Sequence, residues 1–502
     1  MIRSLPDGFA GRGTRLKYGF DSRRPAFDPR PMFDDTIAAI ATPLGEGGLA
    51  VVRISGPQAL GIADKSFVAA GKQSTKPSAT TSHTILHGKV VRRGETVDEV
   101  LLAVLRAPRT YTCEDTVEIT CHGGILPAKL VLDTLLENGA RPAEAGEFTR
   151  RAFLNGRMDL AQAEAVADLI HARTELALAA ANEQLAGKLS VRINELRDEL
   201  VETLAHVEAH IDFPDEDIAP DTKDRLLKRL EAGLKFMDEL LRTANEGQIL
   251  RRGIRAAIVG RPNVGKSSLL NQLLGHDRAI VSPIPGTTRD TIEETANLRG
   301  LPVVFVDTAG LREARDEIEQ EGIRRSHETL ARAEFILHVF DASEPLTEAD
   351  EKLLSQFAGK KRILVRNKSD LPRKLELPGK AGSPLAVAGA HGVTRSTGGI
   401  VDVCCVSGQG IEALKDAIKK LIWSGEIKAG MLQVMINSRH QDALNRARAA
   451  VQRTIDALRG EVTLELAALD LRIAVNAVGE IVGKTATEDL LDSIFSQFCI
   501  GK

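Results

Sequence analysis

The chain has 502 residues, which is more than one hydrophobic core organises and predicts about three domains. Its 66 Lys and Arg nearly balance its 69 Asp and Glu, so the net charge of −3 excludes a global field that attracts RNA and leaves only a local patch for such contact. An aromatic content of 4% disfavours stacking platforms for single-stranded RNA, and no apolar run reaches the ~20 residues that span a bilayer. Five cysteines fit a reducing cytosol better than a disulfide framework, so we expect a cytoplasmic protein with no membrane partner.

The first predicted element is an extension over residues 1–31, which is rich in Arg, Gly and Pro and has no apolar period. Such a composition predicts disorder. A transit peptide would be poor in acidic residues, and this segment contains Asp7, Asp21 and Asp28. We therefore expect the folded protein to begin at Met32.

Residues 32–154 contain short β-rich runs, such as "LAVVRIS" and "DTVEITC", that alternate with Gly-Pro turns and one helical segment. This pattern predicts a small N-terminal α/β domain. Residues 155–250 are rich in Leu and Ala, and apolar side chains recur there at spacings of four and three, as in the core of a helical bundle. This apolar seam consists of Leu185, Leu189, Ile193, Leu196, Leu200, Leu204, Val207 and Ile211.

Residues 251–424 show apolar strands that end in Gly or Asp, each followed by a helix, which is typical of a doubly wound parallel sheet. Helical periodicity returns over residues 425–502. The simplest architecture is therefore an α/β domain inserted into an all-helical domain that both flanks build. The stretch from Leu371 to Ile400, rich in Gly, Ala and Ser, predicts a long mobile loop.

The motif "GRPNVGKS" follows an apolar strand and opens a helix, which is the context that a P-loop requires. Gly260 and Gly265 let backbone N–H groups wrap phosphates at the N-terminus of the helix. Lys266 supplies a positive charge, and the Ser267 hydroxyl is placed to bind Mg²⁺. Asn263 adds a side-chain carbonyl that could coordinate a cation beside the phosphates.

Two further motifs follow in order. "VVFVDTAG" brings Asp307 to the Mg²⁺ side, and the Gly310 N–H can sense the γ-phosphate. "NKSD" ends a strand, and its last carboxylate, Asp370, can accept both the ring N–H and the exocyclic amine of guanine, a donor pair that adenine lacks. The three motifs together predict a GTPase and not an ATPase. The segment "IVSPIPGTTRD" is the expected first switch, with Thr288 (or Thr287) completing the Mg²⁺ shell.

The nucleotide motifs depart from signalling GTPases in two places. Leu311 stands where a water-orienting Gln follows the D-x-x-G motif, so another group must position the attacking water. The carboxylates of "REARDEIEQEG" come next, but their spacing alone selects no single Glu. GTPases usually have Ser-Ala before a Gly-x-Gly turn, but this chain has Cys404 and Cys405 there. We interpret them as two small apolar residues that end a core strand, in preference to a pair of metal ligands.

The C-terminal stretch "TATEDLLDSIFSQF" predicts a helix capped by Thr487, with Cys499 just beyond its end. The tail "CIGK" is a poor match to a prenylation box, because Gly501 and Lys502 stand at its last two positions. Cys499 is then either a buried helix-end residue or a functional one. A zinc site built on Cys113, Cys121 and His122 lacks a second ligand pair and is the weaker interpretation.

Several quoted stretches resemble the family of tRNA-modification GTPases MnmE (TrmE): "GRPNVGKSSLLN", "PGTTRD", "DTAGLREARDEIE", "NKSD", "FCIGK", "YTCEDTVEITCHGG" and "GEFTRRAFLNGRMDLAQAEAVADLI". The resemblance covers Met32 to Lys502 except the predicted loop. It implies an α/β P-loop GTPase domain inserted into an all-helical domain, preceded by a small folate-binding-like α/β domain. It extends the GTP-binding residues to Asn263, Val264, Gly265, Lys266, Ser267, Ser268, Ser282, Thr287, Thr288, Asp307, Thr308, Ala309, Gly310, Asn367, Lys368 and Asp370.

The resemblance also implies how hydrolysis is completed. A K⁺ ion, acting where an arginine finger otherwise would, is held by Asn263, Ser282, Ile284 and Thr287, and the GTPase domains pair across the nucleotide. Catalysis then falls to Lys266 and to Glu319, the water-orienting residue. A fixed cation beside the phosphates is physically reasonable because it stabilises charge that develops in the transition state.

In the same family the N-terminal domain forms a homodimer and binds a tetrahydrofolate derivative (5-formyl or methylene). Its contacts fall on Arg53, Glu118, Arg157 and the terminal Lys502, with Cys499 a further functional residue. The implied reaction, with an FAD-dependent MnmG partner in a heterotetramer, modifies C5 of the wobble uridine of tRNA. The alternatives are a ribosome-assembly GTPase, which would need neither the folate-like domain nor the Cys499 tail, and a signalling switch that awaits a protein activator.

Overall fold

The computed structural model describes residues 34–71, 75–212, 220–275, 294–306, 332–377, 399–423, 435–460 and 463–502, with two short strands at 386–387 and 395–396. The predicted extension, the first switch, the D-x-x-G motif, Leu311 and Glu319 lie outside these residues. The predicted loop from Leu371 to Ile400 is described only in part. None of the described helices combines the length and the apolar character that a membrane span requires.

The N-terminal unit is one mixed sheet with two helices on one face. Its strands are β1 (Ile37–Ile40), β2 (Leu49–Ser55), β3 (Phe67–Ala69), β4 (Thr84–Arg92), β5 (Glu95–Leu105), β6 (Thr116–His122) and β7 (Arg141–Pro142), in the order β3-β4-β5-β6-β2-β1-β7. Its helices are α1 (Ala59–Ser66), α2 (Ile125–Glu137) and α3 (Glu147–Leu154). A 3₁₀ turn at Pro77–Ala79 lies between α1 and α2. Alternate strand residues such as Val52 and Ile119 are fully buried beneath α1 and α2, so the opposite face of the sheet is left for other contacts.

The chain then enters the helical unit. Its first flank comprises α4 (Leu160–His171), α5 (Glu175–Leu185), α6 (Lys188–Asp212), α7 (Pro220–Arg242) and α8 (Ala244–Arg252). The single apolar seam predicted from Leu185 onward is wrong at its start, because α5 ends at Leu185 and Gly187 adopts a φ of 81° before α6 begins. A left-handed backbone interrupts the helical period, so the buried seam begins at Leu189.

The inserted domain is the predicted α/β unit. It contains β8 (Ile254–Val259), α9 (Lys266–Leu274), β9 (Glu294–Leu298), β10 (Leu301–Phe305), β11 (Phe335–Asp341), α10 (Glu348–Gln356), β12 (Lys361–Asn367), β13 (Ala386–Val387), β14 (Arg395–Ser396), β15 (Ile400–Asp402) and α11 (Ile411–Ile422). The main sheet has the order β15-β12-β11-β8-β10-β9, and its pairs are parallel except for the antiparallel β9–β10 edge. The carboxyl ends of β8, β11 and β12 therefore meet at one edge, where ligands bind in such folds.

The second helical flank completes the core that the first began. It comprises α12 (Ser438–Arg459), α13 (Leu464–Ile481) and α14 (Glu488–Phe495). The apolar seam of α6 packs with this flank, since Leu196 and Leu200 share one buried cluster with Val451, Leu471 and Val478. Two segments separated by the whole inserted domain thus build one core, which confirms the predicted insertion.

One buried histidine predicts acid sensitivity of the inserted domain. His338 on β11 is 0% exposed, and neither ring nitrogen has a hydrogen-bond partner among the described residues. Burial and the nearby Arg362 guanidinium lower its pKa to about 4. The unfolded state therefore binds more protons between about pH 4 and 6.5, and stability rises with pH across this window.

We expect His338→Phe to remove this contribution, which amounts to about 1 kcal/mol per pH unit within the window. The ring stacks on Phe340 with centroids 4.3 Å apart, so another flat ring suits the position. Thermal unfolding at pH 5 and 7.5, followed by fluorescence of the single Trp423, measures the change. An unchanged pH slope in the variant would show that the imidazole does not control it, and His206→Phe on α6 serves as the control.

Candidate functional site

The P-loop is shaped by two glycines that no other residue could replace without movement. Gly260 has a φ of 155°, and a Cβ there would lie 2.3 Å from the Val339 carbonyl oxygen. Gly265 has a φ of 95°, and a Cβ there would lie 2.1 Å from Asn367 Nδ2. Between them Asn263 is exposed and left-handed, with a φ of 64°, a conformation that asparagine tolerates better than most residues. The loop therefore closes tightly on β11 and β12 while presenting Asn263 outward.

Lys266 begins α9 and lies inside this loop. Its Nζ donates to the carbonyl oxygens of Gly260 at 3.0 Å and Arg261 at 2.8 Å. Burial lowers the pKa of the ammonium group, which is half-buried. The next two residues on the first helical turn are the half-buried Ser267 and the exposed Ser268, and Val264 before Lys266 is buried. A positive charge and a helix N-terminus thus face the same space, which suits an anionic phosphate.

The N-K-x-D motif at the end of β12 is joined to the P-loop by its first residue, Asn367, which is 3% exposed. Its Nδ2 donates to the Val264 carbonyl oxygen at 2.9 Å, and its Oδ1 accepts from the Cys405 N–H at 3.1 Å. Asn367 therefore holds together the P-loop and the turn after β15. Asp370, three residues on, is exposed and open to a ligand.

Lys368 is held by a residue that the motifs do not contain. With a left-handed φ of 60°, it places its Nζ 2.5 Å from Asp341 Oδ2 at the end of β11. Burial opposes ionisation of Asp341, but hydrogen bonds from Lys368 and Ser343 outweigh it and lower the pKa of the carboxyl. The sequence signal was the polar "DAS" that closes a largely apolar strand.

A second cluster lies on the open face of the N-terminal sheet. Arg53 on β2 and Glu118 on β6 are directly paired in register, with Nε and Oε1 2.8 Å apart. The Arg53 guanidinium lies 5.7 Å from the Tyr111 ring centroid and 5.6 Å from that of Phe148. Arg157 also faces Tyr111, at 5.6 Å, and donates a hydrogen bond to the Thr110 carbonyl oxygen. Two cations and one carboxylate are thus gathered around aromatic rings.

The C-terminal tail closes this cluster. The Phe148 N–H donates to a main-chain oxygen of Lys502 at 3.2 Å, and Arg53 Nη1 donates to the Gly501 carbonyl oxygen at 3.5 Å. Gly501 has a φ of 94°, and a Cβ there would lie 2.5 Å from the Ile40 carbonyl oxygen. We call Arg53, Tyr111, Glu118, Arg157 and residues 499–502 the tail site.

Comparisons with known proteins cover the residues of both sites. A family model described as the MnmE helical domain matches residues 160–499, and one described as the N-terminus of GTP-binding protein TrmE matches residues 36–157. The tRNA modification GTPase MnmE of Geobacillus kaustophilus (strain HTA426) is 46% identical over 475 residues, which cover 93% of this chain and 99% of that one. The chain belongs to the MnmE family. The Bacillus subtilis (strain 168) protein of the same name is 45% identical, with 93% and 100% of the two chains covered.

Among solved structures, the G domain of the T. maritima FeoB iron transporter matches 34% of this chain and 99% of that domain, at 23% identity and a TM-score of 0.23. Membership of the MnmE family, together with the P-loop and N-K-x-D geometry, makes the chain a GTP-hydrolysing enzyme. GTP with Mg²⁺ is accordingly its nucleotide ligand.

Ion pairs and hydrogen bonds from residues outside the motifs hold the P-loop in place. Arg261, within the P-loop, pairs with Glu344 and with the 1% exposed Asp350, each at 2.9 Å. Asp350 also closes the capping box of α10 with Thr347, so the loop is tied to a helix N-terminus. Gln272 Nε2 donates to the Cys405 carbonyl oxygen at 2.8 Å. Such tertiary pairs left no recognisable mark in the sequence.

The cysteines separate into buried and exposed ones. Cys404 and Cys405 are 2% and 8% exposed, and burial raises the pKa of the Cys405 thiol to about 11, which fits the apolar interpretation. Cys499 is exposed, so the alternative of a buried helix-end residue is wrong. Thr487 does cap α14, accepting from the Leu490 N–H. Within the described ranges no group of three or more His, Cys, Asp or Glu side chains could hold a metal ion, and the zinc interpretation gains no support.

Proposed function

We propose that this MnmE-family chain is a K⁺-dependent GTPase activated when two GTPase domains pair, and that it modifies C5 of the wobble uridine of tRNA. It works with an FAD-dependent MnmG-type protein in a heterotetramer and uses a one-carbon unit from tetrahydrofolate. The relatives' name supports the tRNA part of this proposal. The observation that carries the folate part is the tail site, because nucleotide hydrolysis requires no such cluster of residues.

The residues of the tail site suit a folate. Glu118, whose side chain is 31% exposed, can accept hydrogen bonds from the amine and ring N–H of a pterin through its second oxygen. Arg53 and Arg157 offer charge to the carboxylates of the folate's glutamate, and the half-buried Tyr111 adds an aromatic ring beside both guanidinium groups. Lys502 and the exposed Cys499 lie in the tail beside them. A 5-formyl or methylene derivative would bring the carbon unit to this place.

The nucleotide site suits the proposed ions as far as its residues are described. Asn263 faces outward from the P-loop, where a cation between paired domains would lie, and Ser267 is in the first turn of α9, at the proposed Mg²⁺ side. The remaining proposed ligands are Ser282, Ile284 and Thr287 for K⁺ and Thr288 for Mg²⁺, with Asp307 nearby and Glu319 orienting the water. Lys266 then stabilises the charge that develops on the phosphates.

Exposed apolar side chains on the N-terminal sheet support the proposed homodimer. Leu49 and Ile85 are each 67% exposed, and Leu101 is 47% exposed. All three lie on β2, β4 and β5 at positions that point away from the α1–α2 face. A face of this kind is typical of a protein–protein contact.

Calorimetry with 5-formyltetrahydrofolate tests the proposal. We expect the full-length chain to bind it and Glu118→Gln to weaken binding by about tenfold to a hundredfold, since a charged hydrogen-bond partner is lost. Glu99→Gln, on β5 and paired with His87, is the matched control and should bind normally. If the unaltered chain shows no heat of binding at millimolar ligand, the folate role is wrong and the ribosome-assembly alternative gains weight.

A further inference from the structure

Helix α4 joins the tail site to the inserted GTPase domain. Its first residue, Leu160, comes three positions after Arg157, and Asn155 just upstream donates from Nδ2 to the Thr112 carbonyl oxygen at 2.7 Å. Asp159 caps the helix with a complete capping box, which fixes its start. Its 12 residues span about 18 Å, so its first turn lies near the tail site and its last turn lies well away from it.

The corner between α4 and α5 contacts the strand that follows the predicted first switch. Arg173 Nη1 donates to Thr295 Oγ1 at 2.5 Å. Thr295 is 2% exposed and is the second residue of β9, which begins four residues after the "TTRD" motif ends. Thr174 caps α5 by accepting from the Ala177 N–H at 3.2 Å, so the corner that carries Arg173 is anchored.

The same corner packs on the turn between β9 and β10. A Cβ at Gly300 would lie 3.5 Å from Leu176 Cβ, which shows how closely the turn passes α5. Leu301 is fully buried in a cluster with Ala177, Leu250 and Trp423, and these residues come from the helical unit and from both chain crossings into the inserted domain. The β9–β10 hairpin is therefore seated on α5 and cannot shift without disturbing the α4–α5 corner.

A charged pair ties the last turn of α4 to the other side of the nucleotide site. Asp168 accepts a hydrogen bond from Arg251, in the last turn of α8, and Arg251 also reaches Gln184 of α5. Arg251 comes three residues before β8, the strand that leads into the P-loop. The last turn of α4 is thus bonded through Asp168 to Arg251 of α8, and the corner that follows it is bonded through Arg173 to β9.

We propose that Arg173 is a positioning residue that transmits the nucleotide state of the GTPase domain through Thr295 to α4 and so to the tail site. The tail-site end of this proposal rests on the folate function proposed above, whereas the α4 end does not. Thr295 lies on the strand that follows the predicted first switch, and its charge-assisted hydrogen bond from Arg173 links that strand to the corner that follows α4. Since spatial continuity alone does not demonstrate coupling, the test measures a response to nucleotide.

Hydrogen exchange of the full-length chain, with GDP or with GDP and aluminium fluoride in KCl, tests the coupling. We expect the amides of α4 to exchange at different rates in the two states. Arg173→Ala and Thr295→Val should each remove this difference and keep the nucleotide-dependent protection of the P-loop. Arg459→Ala, which removes an exposed arginine paired with Glu231, should behave like the unaltered chain. Equal exchange of α4 in both states, or a difference that survives Arg173→Ala, would overturn the proposal.

Folate affinity provides the second measurement and separates the two proposals. If the sites are coupled, the dissociation constant of 5-formyltetrahydrofolate differs between the two nucleotide states by about fivefold or more, and Arg173→Ala brings the ratio near one. Folate binding that ignores the nucleotide would contradict the coupling and leave the folate function standing. An absence of folate binding would contradict the folate function, and the exchange of α4 would still decide the coupling.

Discussion

GTP turnover in KCl is expected to exceed turnover in NaCl by about 10²-fold or more at equal ionic strength and high protein concentration, and Asn263→Gly is expected to abolish the difference. The reason is that a fixed cation beside the phosphates stabilises charge that appears only in the transition state. Asn263 lies outward on the P-loop, where its side-chain carbonyl can bind that cation.

Glycine is the informative substitution at this position. Asn263 has a φ of 64°, where an alanine costs about 1–2 kcal/mol of backbone strain. Asn263→Gly removes the side chain without that strain, so a loss of K⁺ stimulation can be assigned to the missing carbonyl. Steady-state turnover in both salts, at two protein concentrations, measures the effect. Equal rates in KCl and NaCl for the unaltered chain would contradict cation-completed catalysis and favour a switch that needs a protein activator.

Asp370→Asn is expected to weaken GTP binding by about 10³-fold and to make xanthosine triphosphate the preferred nucleotide. A carboxylate at this position can accept both N–H groups of guanine, whereas an amide presents one acceptor and one donor. Xanthine carries an oxygen where guanine carries its exocyclic amine, so it complements the amide. A site built on such pairs rejects a mismatched base strongly because polar groups are left unpaired.

Dissociation constants for the two nucleotides, measured with fluorescent analogues, test this exchange of preference. Asp416→Asn is the control, because Asp416 on α11 is an exposed acid that pairs with Arg299 away from the site. Since Asp370 is exposed and Asn367 carries the structural bonds of the motif, the variant should fold normally. GTP affinity within about threefold of normal would show that Asp370 does not read the base.

The features that could be predicted from the sequence are those that depend on residues close together along the chain. The P-loop needed a strand, two glycines and a helix in order, and each has a local signature. The cap at Thr487 and the amphipathic pattern of the terminal helix lie within one short stretch. The insertion of the α/β domain could also be predicted, because the helical period stops before residue 251 and returns after residue 424.

Other features depend on how distant parts of the chain meet. The predicted seam ran through Gly187 because a left-handed residue leaves the apolar pattern on both sides intact. Arg53 and Gly501 are 448 positions apart, and no local pattern could place the tail against β2. The pairs Lys368–Asp341 and Arg173–Thr295 likewise join different elements.

The sequence by itself therefore determined the class of enzyme, the order of its domains and the residue types at the nucleotide site, because phosphate binding uses short motifs with fixed spacing. Only the tertiary structure decided that Cys499 is exposed, that the tail closes over Arg53 and that Arg173, in the corner after α4, contacts β9. Hydrogen bonds and ion pairs act over a few ångströms of space, whatever the separation along the chain.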